Sequence, residues 1–375
     1  MSLERFDVAV VGGGPAGCAT ALTLAKRGCS TILFEGSRYE NQRIGETLPP
    51  ETRKLLLSLG VWERFLADRP LQSPGKLSAW GTDQVQESNF IRNPYGFGWH
   101  IDRSKFDRIF FDAAKEAGTQ TYLGTSPILG SQNNFGNWDI EFKYRQQQRH
   151  VQASFLVDAT GRQASLARKC GAKRTAIDRL IGVVGFLLPS SSVSQQTVST
   201  LVEAVEDGWW YSAILPDNRL VVALMTDSDL VRANSATMAN NWLHAMNRAT
   251  NTRNRAKGFS LEAAPGIHVA NTSRLKLSIG ARWLAVGDAA MSFDPLSSQG
   301  VYRALEYGLM AASSICDYQI GNRSSIEKYA FEVEKCFASY LAKRQAFYML
   351  ESRWRNATFW KRRRSIPSGR MNLHS

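Results

Sequence analysis

The chain has 375 residues, 43% hydrophobic and 21% charged, an ordinary balance for a soluble globular protein and enough length for two domains or one interleaved fold. Its five cysteines are widely spaced and include no C-x-x-C, which argues against a disulfide framework and for reduced thiols in a cytoplasm. The formal net charge is +13, with nine Lys or Arg against the single acid Glu351 in residues 341–375. A basic run of this kind suits nucleic acid, an acidic protein partner or a solvated face, and no nucleic-acid recognition motif accompanies it. No stretch approaches a membrane span, and no leader pattern follows the first apolar run.

That run, residues 6–11, is long enough for one buried strand. It ends in Gly12-Gly13-Gly14-Pro15-Ala16-Gly17, a G-x-G-x-x-G; helical spacing continues through Ala19, Leu22 and Ala25 to the breaker Gly28, and residues 31–34 form a second apolar run closing on Glu35. Gly12 permits a tight turn, Gly14 lets a diphosphate approach the backbone, and Gly17 lets helix and strand pack closely. Pro15 and Ala16 open a helix whose N-terminal amides and partial positive charge face that diphosphate. Glu35, at the tip of the second strand, is placed to accept from an adenosine ribose. A glycine-rich turn alone has purely structural uses; a strand before it, a helix after it and an acid at this distance indicate a dinucleotide site. Cys18 and Cys29 lie within this unit and are read as packing residues.

Residues 37–50 are polar and turn-rich, a loop bordering the cofactor, with Arg43 placed beside a diphosphate or flavin edge and Glu46 a candidate polar group of the reacting site. Residues 51–66 have the spacing of one amphipathic helix (Leu55, Leu56, Leu59, Trp62, Phe65). Residues 70–99 alternate as strands and turns, an excursion into a second sheet. Residues 100–118 return to helix, capped by Asp102 or Ser104, with Arg103 at its start and Gly118 at its end. Residues 121–157 read as strands and a hairpin running into Asp158-Ala159-Thr160-Gly161-Arg162. Residues 180–259 are rich in β-branched alternation, with a helix over 236–248. Residues 283–286 form another buried strand ending in Gly287-Asp288; the loop 293–300 follows, and helical spacing starts at Val301. A long apolar stripe over 326–354 makes an amphipathic helix with a basic end.

The three strand-to-turn signals, at 12–17, 158–161 and 287–288, together resemble the flavoprotein monooxygenase superfamily of para-hydroxybenzoate hydroxylase and the flavin-dependent halogenases, over essentially the whole chain. The resemblance implies an α/β fold: a Rossmann-type FAD-binding domain with a central parallel sheet (1–72, 98–178 and 265–325), interleaved with a smaller, mostly antiparallel substrate domain (73–97 and 179–264), and a C-terminal helical, basic segment (326–375). It carries flavin ribityl and diphosphate binding to Gly287 and Asp288, and cofactor contact to Asp158 and to Arg103 in its R-x-x-F-D context. It lays Pro295, Ser298, Gly300 and Val301 against the isoalloxazine, where a helix N-terminus stabilises charge on the reduced ring. Chemistry is expected where residues 295–300 meet the second sheet. A second dinucleotide turn is missing, so reducing equivalents come from transiently bound NAD(P)H or from externally supplied reduced flavin.

Finer matches, at residues 43–50, at Gly208-Trp209-Trp210-Tyr211 and over 348–363, resemble the flavoproteins that accompany lysine-oxidase-like and glycine-oxidase-like quinoproteins. The resemblance implies a monooxygenase using FAD, O2 and a C4a-hydroperoxide to hydroxylate a tryptophan of a precursor quinoprotein during cysteine tryptophylquinone biogenesis, a cytoplasmic monomer meeting its partner through the basic surface. No metal is expected, since the five histidines are scattered without ligand spacing, and no nucleic acid or membrane is expected as partner. The alternatives are a small-molecule aromatic hydroxylase or tryptophan halogenase, and a flavin-bound maturation chaperone that does not turn over. The halogenase W-x-W-x-I-P signature would fall on Trp209–Ile214, which departs from it at Tyr211, Ala213 and Ile214; Lys76, in a Pro-Gly turn, is the one candidate for a halogenase lysine.

Overall fold

A computed structural model describes residues 3–190, 197–231 and 238–364. The chain divides into two compact units, one built from Met1–Pro70, Ile101–Ile177 and Thr272–Lys335, the other from Leu71–His100, Asp178–Asn271 and Cys336–Ser375. Each takes segments distant in sequence.

The first unit is organised by β1 (Glu4–Val11), α1 (Pro15–Lys26), β2 (Thr31–Glu35), α2 (Arg103–Glu116), β3 (Gln120–Leu123), β4 (Gln147–Asp158), β5 (Trp283–Ala285) and α3 (Gly300–Gln319). The strands run parallel in the order β5-β4-β1-β2-β3. Val8, Val10, Ile32, Leu33, Phe34 and Val157 are fully buried, as expected for a parallel sheet covered on both faces. Because β1 is flanked by β2 on one side and β4 on the other, the connections diverge above its carboxyl end and leave a crevice there. Register puts Val11 opposite Asp158 and Asp158 opposite Ala285, so the three motif turns emerge side by side on that edge.

Helix α1 is buried from Ala16 to Leu24 and packs against α3. A Cβ on Gly308 would stand 2.7 Å from the Ala16 carbonyl and 2.9 Å from Ala19 Cβ, so glycine is what allows this approach. Thr20 Oγ1 completes the contact by donating to the Gly308 carbonyl at 3.2 Å. In α2 the Asp102 side chain accepts from the Ser104 and Lys105 amides, which settles the cap in favour of Asp102. The single helix expected over 51–66 is two, Thr52–Leu59 and Trp62–Ala67, because Gly60 turns left-handed at φ 69°.

The second unit is a mostly antiparallel sheet of Phe259–Leu261, Leu180–Pro189, Leu220–Asp227, Gly208–Ile214, Thr200–Val205, Gly75–Ala79 and Gln86–Asn89, in that order. Its one parallel pair joins Gly75–Ala79 to Thr200–Val205. Ile181, Val183, Leu187, Trp210, Leu220 and Val222 on one face pack with Trp242 and Met246 of the helix Met238–Arg248. Burial of each large apolar side chain there contributes about 1.5–3 kcal/mol. On the opposite face Trp209 donates to the Tyr348 hydroxyl at 3.0 Å and meets Trp80 edge-on. The expected helix start at 236–237 lies outside the described residues.

Lys76 is on the strand Gly75–Ala79, opposite Thr200 and Ser88, and not in a turn. The C-terminal helix is Ser324–Leu350; a further short helix, Thr358–Arg364, follows. Four arginines of the basic end make ion pairs within the second unit. Arg344 pairs with Asp178 at 2.7 Å, Arg353 with Glu351 at 2.5 Å, Arg362 with Asp229 at 2.7 Å and buried Arg363 with buried Asp227 at 2.8 Å. Among the described residues no helix is long and apolar enough to cross a membrane.

Candidate functional site

The candidate site lies in the first unit, at the carboxyl ends of β1, β4 and β5. Gly12 takes φ 110°, and a Cβ there would stand 2.1 Å from the Ala159 carbonyl oxygen. A Cβ on Gly17 would stand 1.9 Å from the Gly12 carbonyl and 2.9 Å from Ala159 Cβ. Gly287, at φ 60°, would place its Cβ 2.6 Å from Ala16 Cβ. These glycines therefore knit the three motif turns together: 12–17 packs on 158–161, and 287–288 packs on the start of α1. Gly14 differs, since a Cβ on it would meet no protein atom within 4 Å. Helix α1 starts there with Pro15 in its first turn, no side-chain cap and no acid in that turn, so its amides face open space.

Glu35 sits beside that opening. Its carboxylate accepts from the Gly13 amide at 2.6 Å, from the Ser37 amide at 2.9 Å and hydroxyl at 2.5 Å, and from Arg43 Nη2 at 3.1 Å. Arg43 is therefore held at the Glu35 end of the site. Its Nη1 reaches Asp107 at 2.7 Å, and its guanidinium lies over the Tyr39 ring, 4.7 Å from the centroid. Burial works to lower the Arg43 pKa, but Asp107 and Glu35 overcome it and hold the guanidinium above its ordinary value. Tyr39 donates to the Gly13 carbonyl at 2.6 Å, and burial raises its phenol pKa far above the ordinary value.

Arg103 grips the same carboxylate. Its Nη2 is 3.1 Å from Asp107 Oδ2 and its Nη1 donates to the Ile44 carbonyl at 2.7 Å. Gly45 lies under that arm at φ 101°, where a Cβ would be 2.6 Å from Arg103 Nη1. Glu46 is buried, and its backbone carbonyl accepts from the Ile101 amide at 2.9 Å. Asp107, fully buried between two arginines, escaped the sequence reading although Arg103 and Asp107 stand four apart on one helix, the spacing of an ion pair. Tyr39 offered no sequence signal; its positive φ of 62° is a tertiary outcome.

Asp158 turns out to shape its own turn. Its Oδ1 accepts from the Thr160 amide and hydroxyl, and its Oδ2 from the Leu166 and Ala167 amides. With those four bonds and 1% exposure, it positions the turn and does not reach out of it. Asp288 is partly exposed, 3.4 Å from Arg162 Nε. Behind it Arg174, also missed, donates to the Asp288 and Ala289 carbonyls at 2.9 Å each. Burial lowers the Arg174 pKa to about 10, which leaves it a cation at neutral pH. Farther along, Asp294 caps the turn Pro295–Ser297 by accepting from the Leu296 amide at 3.0 Å, and Ser298 turns left-handed at φ 53°. Gly300 and Val301 open α3, which has no side-chain cap and no acid in its first turn; a Cβ on Gly300 would meet nothing within 4 Å.

These features fit a flavin dinucleotide. Two uncapped helix starts, at α1 and α3, each carry a glycine facing open space, and the carboxylates of Glu35 and Asp288 stand beside them.

The comparisons agree. A family model for the FAD binding domain matches residues 5–323, and the chain belongs to that family. It is similar to the FAD-dependent oxidoreductase LodB of Marinomonas mediterranea, 29% identical over 372 residues that cover 98% of this chain and 99% of that one. It is also similar to a 1H-pyrrole-2-carbonyl-[peptidyl-carrier protein] chlorinase of Pseudomonas fluorescens, 26% identical over 84% of this chain and 77% of the relative. Among solved structures, the myxobacterial halogenase CndH superposes with TM-score 0.88 at 21% identity, covering 96% of this chain and 86% of its own. The peptidyl tryptophan dihydroxylase QhpG, essential for tryptophylquinone cofactor biogenesis, superposes with TM-score 0.80 at 22% identity, covering 99% and 81%. The protein is thus an FAD-dependent enzyme with the fold of the flavin-dependent halogenases and monooxygenases.

Proposed function

We propose that the chain is an FAD-dependent monooxygenase that hydroxylates a tryptophan side chain of a precursor quinoprotein during cysteine tryptophylquinone biogenesis. The observation that carries this reading is the fold shared over 99% of the chain with a peptidyl tryptophan dihydroxylase essential for tryptophylquinone cofactor biogenesis. The end-to-end match with an FAD-dependent oxidoreductase, 98% of this chain against 99% of the relative, is in keeping with it. A protein partner and a cytoplasmic location belong to the same proposal.

When bound, reduced FAD supplies electrons for the activation of O2. The chain's own residues bind and orient. The α1 amides of Ala16 and Gly17 would take the diphosphate across Gly14, and Glu35 would lie at the ribose end, fixed by Gly13, Ser37 and Arg43. Asp288, backed by Arg162 and Arg174, takes the ribityl side. The α3 amides at Gly300 and Val301 are oriented for negative charge on the ring edge, with Pro295 and Ser298 shaping their approach. In this reading Glu46 is a polar group near the ring, and the first unit carries the cofactor while the second carries the substrate.

Halogenation is the second reading, favoured by relatives such as the pyrrole chlorinase. Lys76 is its one candidate lysine, held in the ladder between Thr200 and Ser88. The two readings separate on a tryptophan-bearing peptide incubated with holoenzyme, reductant, air and bromide. Mass spectrometry is expected to find oxygen on the indole and no bromine; bromine on the indole would overturn the proposal.

A further inference from the structure

Cys29 and Cys316 stand 287 residues apart in sequence with their sulfurs 3.5 Å apart. Cys29 follows the end of α1, just after Gly28, and its amide donates to the Leu24 carbonyl at 3.1 Å. Cys316 lies in the last turns of α3. Cys29 Sγ also donates to Gln319 Oε1 at 3.2 Å, and the neighbouring Arg27 reaches Ser313 Oγ at 3.0 Å. The two thiols therefore face each other at the far end of the α1–α3 pair. The near end is the close contact of Ala16 and Thr20 with Gly308, next to the cofactor-facing helix start. Both sulfurs are partly exposed, unlike Cys18, which is fully buried with its Sγ 3.1 Å from the Gly13 carbonyl.

We propose that Cys29 and Cys316 are a redox-closable clasp, oxidised by hydrogen peroxide to a disulfide that locks α1 to α3 and slows loss of FAD. A disulfide needs the sulfurs at about 2.05 Å, so closure asks for about 1.5 Å of approach, within reach of side-chain rotation. The reaction balances with one peroxide. One sulfur attacks a peroxide oxygen, the O–O bond breaks, water leaves and a sulfenic acid forms. The second sulfur then attacks the sulfenic sulfur, the S–O bond breaks, and the thiol protons leave with oxygen as a second water. Two thiols lose two electrons in all, and the peroxide gains them. The cross-link closes a loop spanning 287 residues of sequence, so it restricts the unfolded chain strongly. Burial and the neighbouring Cys316 push the Cys29 thiol up to about 12, so oxidation starting at Cys29 is faster as pH rises.

The test uses the full-length holoenzyme, treated with hydrogen peroxide and then mapped as non-reduced peptides. The expected result is a linked Cys29–Cys316 peptide lacking two hydrogens, formed faster at pH 9 than at pH 7. With it come FAD release several-fold slower and a raised Tm, both reversed by dithiothreitol and both missing in C29S and in C316S. Release into an excess of an FAD-binding apoprotein gives the FAD rate without reference to turnover. Two results overturn the proposal: oxidation that ends in sulfinic acid or at Cys170 with no linked peptide, and a linked peptide with FAD release unchanged.

Discussion

Arg43 Nη1 lies 2.7 Å from Asp107 Oδ2 across 64 residues of sequence, and the carboxylate has no solvent exposure. With Arg103 on its other side and Glu35 beyond Arg43, this is a four-residue relay from the loop after β2 into α2. Removing Asp107 would leave two arginines without their shared counter-ion. Asp107→Ala is expected to lose about 3–5 kcal/mol of stability, the usual cost of breaking a buried pair from one side. Urea unfolding with tryptophan fluorescence measures it, and FAD titration of the surviving fold should show weakened binding. A loss under about 1 kcal/mol would mean that the arginines do not depend on this carboxylate.

The glycines of the first turn divide by what a methyl would meet. Gly14→Ala meets no atom within 4 Å and already has an ordinary backbone φ of −73°. It should keep apoprotein stability within about 1 kcal/mol while weakening FAD binding by about tenfold or more. Gly12→Ala, at φ 110° with a Cβ 2.1 Å from the Ala159 oxygen, should instead lose about 3 kcal/mol or more of stability. Parallel thermal melts with and without FAD distinguish the two; equal behaviour would separate the turn from the cofactor.

In the second unit His100 is buried between the Ile214 carbonyl and the Thr200 hydroxyl, and burial lowers its pKa to about 4. The folded state therefore binds the proton less readily than the unfolded chain, whose histidine titrates near 6.5. This contribution is complete above about pH 6.5 and is lost as pH falls from there to about 4, amounting to about 3 kcal/mol. His100→Asn should flatten that stretch of the stability–pH curve, measured by urea unfolding at stepped pH. An unchanged slope between pH 6.5 and 4 would place the titrating group elsewhere.

The pair of Arg363 and Asp227 is buried on both sides, each 1% exposed, at 2.8 Å. Asp227→Ala should destabilise by about 3–5 kcal/mol, whereas Arg179→Ala, whose side chain is 59% exposed beside Asp229, should cost under about 1 kcal/mol. Differential scanning calorimetry of the two variants checks the contrast. A small effect at Asp227 would mean that this buried pair does not hold the short C-terminal helix in place.

The sequence made the first unit legible because its signals are local. A G-x-G-x-x-G, two Asp-bearing strand ends and a helix after residue 300 each declare themselves within a few residues, and one parallel sheet aligns them. What stayed hidden depends on partners far along the chain. Nothing near Asp107 announces Arg43, and nothing in the basic end announces Asp178, Asp227 or Asp229. A count of like charges over 341–375 therefore could not show which arginines the fold pairs, among them Arg344, Arg362 and Arg363. Cys29 was read as packing for the same reason, since Cys316 lies 287 residues away. The Asp158 turn was found, but which way its carboxylate faces is a matter of backbone geometry at Thr160–Ala167.

The central claim is that this enzyme places dioxygen-derived oxygen on a protein-bound tryptophan. Its most direct test is to produce the precursor quinoprotein with and without this chain under isotopically heavy dioxygen and sequence the tryptophan peptide by tandem mass spectrometry. One or two heavy oxygens on the indole, seen only with this chain present and lost in Gly14→Ala, is the result expected. An unmodified indole while the flavin turns over, or a halogen in place of oxygen, would contradict it.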